Sequence, residues 1–154
     1  MNKTEIYQLN RKLDIPYDLL LLADPSHESV ADCVERGSIY VIDVEGRPVG
    51  VYVLINTRPF TMELVNIAVD EGYQGNGIGK MLVEDAIERV KRAGYKTIEV
   101  GTGNSSISQL ALYQKCGFRI KSIERDYFVR YYEDEILENG IQCRDMIRLS
   151  IDFV

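Results

Sequence analysis

The sequence predicts an α/β (α+β) fold, a mixed and mostly antiparallel sheet of about six to seven strands with helices on both faces. Three observations carry this. Residues 38–69 hold three β-rich apolar runs separated by short turn signals, which reads as an antiparallel meander. A glycine-rich link and an amphipathic helix then lead to Thr97–Gly103, a run that should return parallel to the strand before the helix by a right-handed crossover. After a second helical run come two more strands, Phe118–Glu124 and Asp145–Phe153.

Thr4–Leu9 (TEIYQL) alternates and suits an edge strand. Pro16 opens a short helix, PYDLLLLA. Asp24 is placed as the N-cap of the next helix, with Pro25 at its first position and Gly37 at its end. Ser38–Val44, a Glu45-Gly46 turn and Pro48–Asn56 form a hairpin, and the turn TRPF leads into Thr61–Val69. YQGNGIGK (Tyr73–Lys80) follows, then a helix with Leu82, Val83, Ala86, Ile87 and Val90 on one face, ended by Gly94. The second helical run, SISQLALYQKC, is ended by Gly117.

A chain of 154 residues fits one domain, 1–154, and buries a real core. The net charge of −6 disfavours nucleic acid as a partner and is compatible with a small cation. The longest leucine run, Leu19–Ala23, is far too short to span a bilayer and is flanked by Asp18 and Asp24, so no membrane partner is expected. The N-terminal residues lack the apolar core of a signal peptide, and the protein reads as cytoplasmic. Cys33, Cys116 and Cys143 are odd in number and widely spaced, which gives neither a disulfide framework nor a metal pattern. The single histidine, His27, is expected exposed at a helix start, so neither a metal site nor a Ser-His-Asp triad is expected. A homodimer is compatible with the sequence, but no segment specifies one.

The glycine loop points to an anion. It is not a Walker loop, because Gln74 stands where that motif needs glycine and Met81 where it needs Ser or Thr. It is not the dinucleotide fingerprint, because Lys80 stands at the third glycine position and the loop follows a meander. Backbone amides at a helix start nevertheless lack intrahelical partners, and glycines let a pyrophosphate approach them. A tight turn with glycines for geometry alone is the other reading.

Two motifs narrow the choice. Gln74-Gly75-Asn76-Gly77-Ile78-Gly79 has the form Q-x-x-G-x-G, and Leu110–Phe118 (LALYQKCGF) contains L-Y-x-x-x-G-F. Together with VNIAVDEGY before the loop, and in this order, they resemble the GCN5-related N-acetyltransferase (GNAT) superfamily. The resemblance covers about residues 38 to 124 well. It implies the acyl-CoA N-acyltransferase fold, acetyl-CoA as cosubstrate and an amine as acceptor, with direct transfer in a ternary complex. A CoA-binding sensor without turnover is the alternative.

The resemblance also implies roles. Gln74, Gly75, Asn76, Gly77, Ile78, Gly79 and Lys80 would hold the pyrophosphate. The backbone of Ile67, Ala68 and Val69 would hold the pantetheine arm, with one amide aimed at the thioester oxygen. Tyr113 would be the general acid for the departing thiolate, though it can also simply pack helix against sheet. Asn104, or Ser106 in its place, would contact the pantetheine. Glu99 is placed as the general base, with Glu63 and Glu71 as other candidates. Cys116 is expected to be a packed small residue, since no histidine is placed to activate it. Glu124–Glu138 (ERDYFVRYYEDEILE) mixes six acids with aromatic side chains and would suit a cationic amine, or form a solvated loop.

Overall fold

The computed structural model describes residues 5–10 and 12–154. Thr4, the first residue of the expected edge strand, lies outside them. The strand itself, β1 (Ile6–Gln8), forms the edge of the sheet and pairs with β2 (Ser38–Val44). The helices α1 (Tyr17–Ala23) and α2 (His27–Arg36) lie between them in the chain. The hairpin of β2 and β3 (Arg47–Arg58) turns at Glu45 and Gly46, which both have positive φ, as a two-residue hairpin turn of this hand requires.

The start of α2 differs from the expected one. Its N-cap is Ser26, whose hydroxyl accepts from the Ser29 amide. Asp24 instead accepts from the Ser26 amide and from the Tyr132 hydroxyl, so its carboxylate faces the opposite end of the chain. Two potential caps two residues apart look alike in sequence; the helix takes the one with the free hydroxyl.

The sheet has seven strands in the order β1-β2-β3-β4-β5-β9-β6. The first four are antiparallel neighbours, ending in β4 (Thr61–Val69). The helix α3 (Ile78–Arg92) then carries the chain to β5 (Thr97–Gly103), which pairs parallel to β4. After α4 (Ile107–Lys115) and β6 (Arg119–Glu124) come a short helix α5 (Tyr127–Tyr131) and a small hairpin, β7 (Leu137–Glu138) with β8 (Ile141–Gln142). The last strand, β9 (Met146–Asp152), inserts antiparallel between β5 and β6.

Two cores cover the two faces. Leu82, Val83, Ala86 and Val90 of α3 pack with Tyr113 of α4 on one face, against Tyr52, Leu64 and Val100. Leu19 and Leu20 of α1 and Val30 and Cys33 of α2 pack on the other, against Val51, Val53 and Ala68. The central strand β3 is buried from Val49 to Ile55 because it serves both.

Candidate active site

One extra residue creates the site. Along β3 and β4, Val53 pairs with Asn66 while Leu54 pairs with Leu64, so Val65 is unpaired and forms a β-bulge. The bulge reverses the side-chain alternation. Met62 and Leu64 face α3 before it, and Ile67 and Val69 do so after it. Pairing between β4 and β5 ends just there, at Leu64 opposite Val100. Beyond that point β4 stays with β3 and β5 stays with β9, and a gap opens between them.

The unpaired edge of β4 faces this gap. The Asp70 amide donates to the Val49 carbonyl on β3 at 2.8 Å. By the alternation of a strand, the N–H and C=O of Val69 and Ile67 point the other way. The Val69 carbonyl accordingly accepts from the Gln74 side chain at 3.0 Å. The amides of Ile67 and Val69 are thus offered to a ligand in the gap, with Ala68 between them.

The glycine loop closes one end. Gly75 and Gly77 have φ of 83° and 80°, left-handed conformations that glycine adopts without strain, and Gly77 is the N-cap of α3. A Cβ on either would meet no protein atom within 4 Å, so only backbone geometry and the space in front demand glycine there. The first helical bond of α3 runs from the Met81 amide to the Gly77 carbonyl, leaving the amides of Ile78, Gly79 and Lys80 without intrahelical acceptors. Together with the helix dipole they form a cradle for an anion. Gln74, Gly75, Gly77, Ile78 and Gly79 line a cavity of about 230 Å³ with Ile67, Ala68 and Val69. The Asn76 side chain turns back to the Tyr73 carbonyl, and the Lys80 ammonium pairs with Glu84 at 3.7 Å.

A larger cavity of about 480 Å³ continues from it between the splayed strands, and Ile67, Val69, Gly101, Gly103 and Tyr113 all line it. Tyr113 is 3% exposed and packs edge-on against Phe118. Burial raises its phenol well above the usual value, with Cys116 adding to the effect, so it remains protonated at neutral pH. Its hydroxyl makes no hydrogen bond to another described residue. Cys116 caps α4, and burial pushes its thiol up too, which suits packing rather than nucleophilic attack.

Glu63 and Glu99 lie opposite each other in the last paired stretch. Burial works to raise Glu99, but the Lys121 ammonium at 2.6 Å, with Arg58 at 3.4 Å and Arg148 behind, holds it below the usual carboxylate range. Glu63 shifts the other way. Burial raises it, Arg148 at 3.4 Å only partly offsets this, and Glu99 and Glu124 push it further up. Glu71 is exposed in the short 3-10 turn Glu71–Tyr73.

The Asn104 side chain lines neither cavity. It donates to the Gln142 carbonyl and accepts from the Arg144 and Asp145 amides, fastening the β7–β8 hairpin to the end of β5. Ser106 lines the larger cavity in its place. Asp24 and Asn66 also line the cavity without having carried a site signal in the sequence, whereas Tyr132, which lines it too, belongs to the segment read as suiting a cationic amine. The Asn139-Gly140 pair, with φ of 54° and 73°, is the sequence signal that could have located the hairpin bearing Glu138.

The family model described as the acetyltransferase (GNAT) family matches residues 5–118. The chain belongs to that family. It is 57% identical over 152 residues to the N-acetyltransferase YvbK of Bacillus subtilis, covering 99% of this chain and 98% of that protein. A Bacillus subtilis acetyltransferase solved in complex with CoA superposes with a TM-score of 0.93 at 56% identity, over 99% of this chain and 100% of the other. A GNAT acetyltransferase of Elizabethkingia anophelis with acetyl-CoA bound gives 0.95 at 43% identity, with the same coverage. The seven-stranded sheet is the GNAT fold, as the sequence predicted. This GNAT chain is an acetyl-CoA-dependent N-acetyltransferase that moves an acetyl group from acetyl-CoA to an amine. The strand edge at Ile67–Val69 and the open amides of α3 fit that cosubstrate, an amide-bearing arm joined to a pyrophosphate.

Proposed function

We propose that the enzyme transfers acetyl directly, in a ternary complex, to the primary amine of a small cationic molecule or a basic peptide end. The amides at the start of α3 hold the pyrophosphate, and those of Ile67 and Val69 hold the pantetheine and polarise the thioester carbonyl. A lysine-like amine, with a pKa of about 10.4, arrives protonated and must first lose a proton. Glu63 takes it through water. Glu99 is the weaker base, because two cations already hold it ionised and a depressed pKa makes it a poor proton acceptor. As the amine nitrogen bonds to the carbonyl carbon, the carbon–sulfur bond breaks, Tyr113 donates its proton to the leaving sulfur, and the proton the nitrogen sheds on becoming an amide returns the phenolate to the phenol. The cytoplasm suits an enzyme with three free cysteines.

The observation that carries this reading is the opening of β4 from β5 into a cavity that Tyr113 also lines. The test is CoA thiol release from acetyl-CoA against polyamines, amino acids, aminoglycosides and basic peptides, with wild type and Tyr113→Phe. We expect kcat to fall by about 100-fold or more for the amine that works, with acetyl-CoA affinity within about threefold. An unchanged kcat removes Tyr113 from the chemistry.

A further inference from the structure

The larger cavity has a one-signed lining. Among the described residues, Asp24 and Glu138 are the only charged ones on it, and no described lysine, arginine or histidine lines it. They differ from several acids of the sheet and its helices. Glu63, Glu99, Glu124, Asp85 and Asp126 each meet an arginine or lysine within 4 Å, whereas Asp24 and Glu138 meet none among the described residues. Their partners are neutral. Oδ1 of Asp24 accepts from the Tyr132 hydroxyl at 2.9 Å, and Oε1 of Glu138 accepts from the Ser106 and Ser105 hydroxyls at 2.8 and 3.2 Å.

A further group on the same wall lacks a donor. Asn66, at the bulge, is 5% exposed and lines the cavity. Its Nδ2 donates to the Leu20 carbonyl, which fixes the orientation of the amide. The opposite oxygen, Oδ1, is buried without a partner. A buried hydrogen-bond acceptor with no donor is destabilising, so it marks a place where a ligand or water supplies an N–H or O–H.

We propose that the acceptor carries a second ammonium group beyond the amine that reacts, and that Asp24 and Glu138 select it. The inference rests on the amine-acetylation reading and narrows it. Asp24 stands on the α1–α2 connection and Glu138 on the β7–β8 hairpin, so the two carboxylates flank the cavity from separate elements. Phe128 and Tyr132 add aromatic faces that tolerate a cation. An amine bearing a carboxylate finds no cation on this lining and two like charges, so free amino acids are rejected by the same feature.

The test compares kcat/KM for putrescine, n-butylamine and γ-aminobutyrate with acetyl-CoA, in wild type, Asp24→Asn and Glu138→Gln. Each substitution keeps an oxygen for the neighbouring hydroxyl. In wild type we expect putrescine to exceed n-butylamine by about tenfold or more, the worth of one hydrogen-bonded charge, and γ-aminobutyrate to be poorest. The putrescine-to-butylamine ratio should fall by about tenfold in the variants. A wild-type ratio near one, which needs no variant to fold, overturns the inference and leaves amine acetylation standing. A ratio that is high but unmoved in both variants overturns the assignment to Asp24 and Glu138. If no amine drives release although acetyl-CoA binds, the amine reading and this inference fail together.

Discussion

The two halves of the β4–β5 pair make opposite use of the same two strands. From Thr61 to Leu64 the backbones bond to each other, and the polar groups left over are side chains, those of Glu63 and Glu99. From Val65 to Val69 the strands part and the side chains of Ile67 and Val69 go to the core, while the backbone faces the gap. One half presents carboxylates and the other presents amides. A single unpaired residue, Val65, divides them.

Deleting Val65 attacks that division directly. Without the extra residue Asn66 follows Leu64 directly, each residue beyond keeps its partner on β3 and its face, and what is lost is the local kink and added twist of the bulge where β4 parts from β5. We expect acetyl-CoA binding and turnover to be lost, measured by calorimetry and thiol release. Binding within about tenfold of wild type would show that the bulge does not set the amides.

Glu63→Gln probes the paired half. Its raised pKa places the acid limb of kcat/KM above the ordinary glutamate value of about 4.3, with activity rising as pH passes through it. The substitution should lower kcat/KM by about 100-fold and erase that limb. Stability should respond with the opposite sign. A carboxyl whose folded pKa is raised holds its proton more tightly in the folded state, so it favours folding at low pH, and that contribution is lost as pH rises through the folded pKa. The glutamine variant should therefore melt no lower than wild type at neutral pH. A persistent acid limb would return the base to Glu99.

Asn104→Ala carries the smallest expected effect on cosubstrate. Its three hydrogen bonds go to residues 142–145, so acetyl-CoA affinity should stay within about threefold while stability falls by about 1–3 kcal/mol. A selective loss of acetyl-CoA affinity would place the side chain in the pantetheine channel after all.

What the sequence disclosed was local. The loop Gln74–Lys80 announces itself through glycines within a few residues of each other, and the amphipathic helix after it through its spacing. The meander was legible for the same reason. What stayed hidden depends on partners far apart in the chain. Glu99 is held by Lys121, which reaches it from β6 across β9, and no local pattern reveals that a candidate base is already neutralised. Asp24 looked like a helix cap because it stands before a proline; its partner Tyr132 is 108 residues away. In the segment 124–138, Glu124 and Asp126 are engaged by Arg148 and Arg144, so counting its acids overstated what it offers a substrate.

The position of β9 also bears on how the protein is made. During synthesis β5 and β6 emerge first, each with an open edge that the other cannot fill, because the strand between them is encoded after both. Until residue 152 has left the ribosome, two unpaired strand edges are exposed to other chains. The same strand brings Arg148 to Glu63, so the ion pair beside the proposed base forms only when the sheet is sealed. Completion of the fold and electrostatic tuning of the site are one late event in the life of the chain.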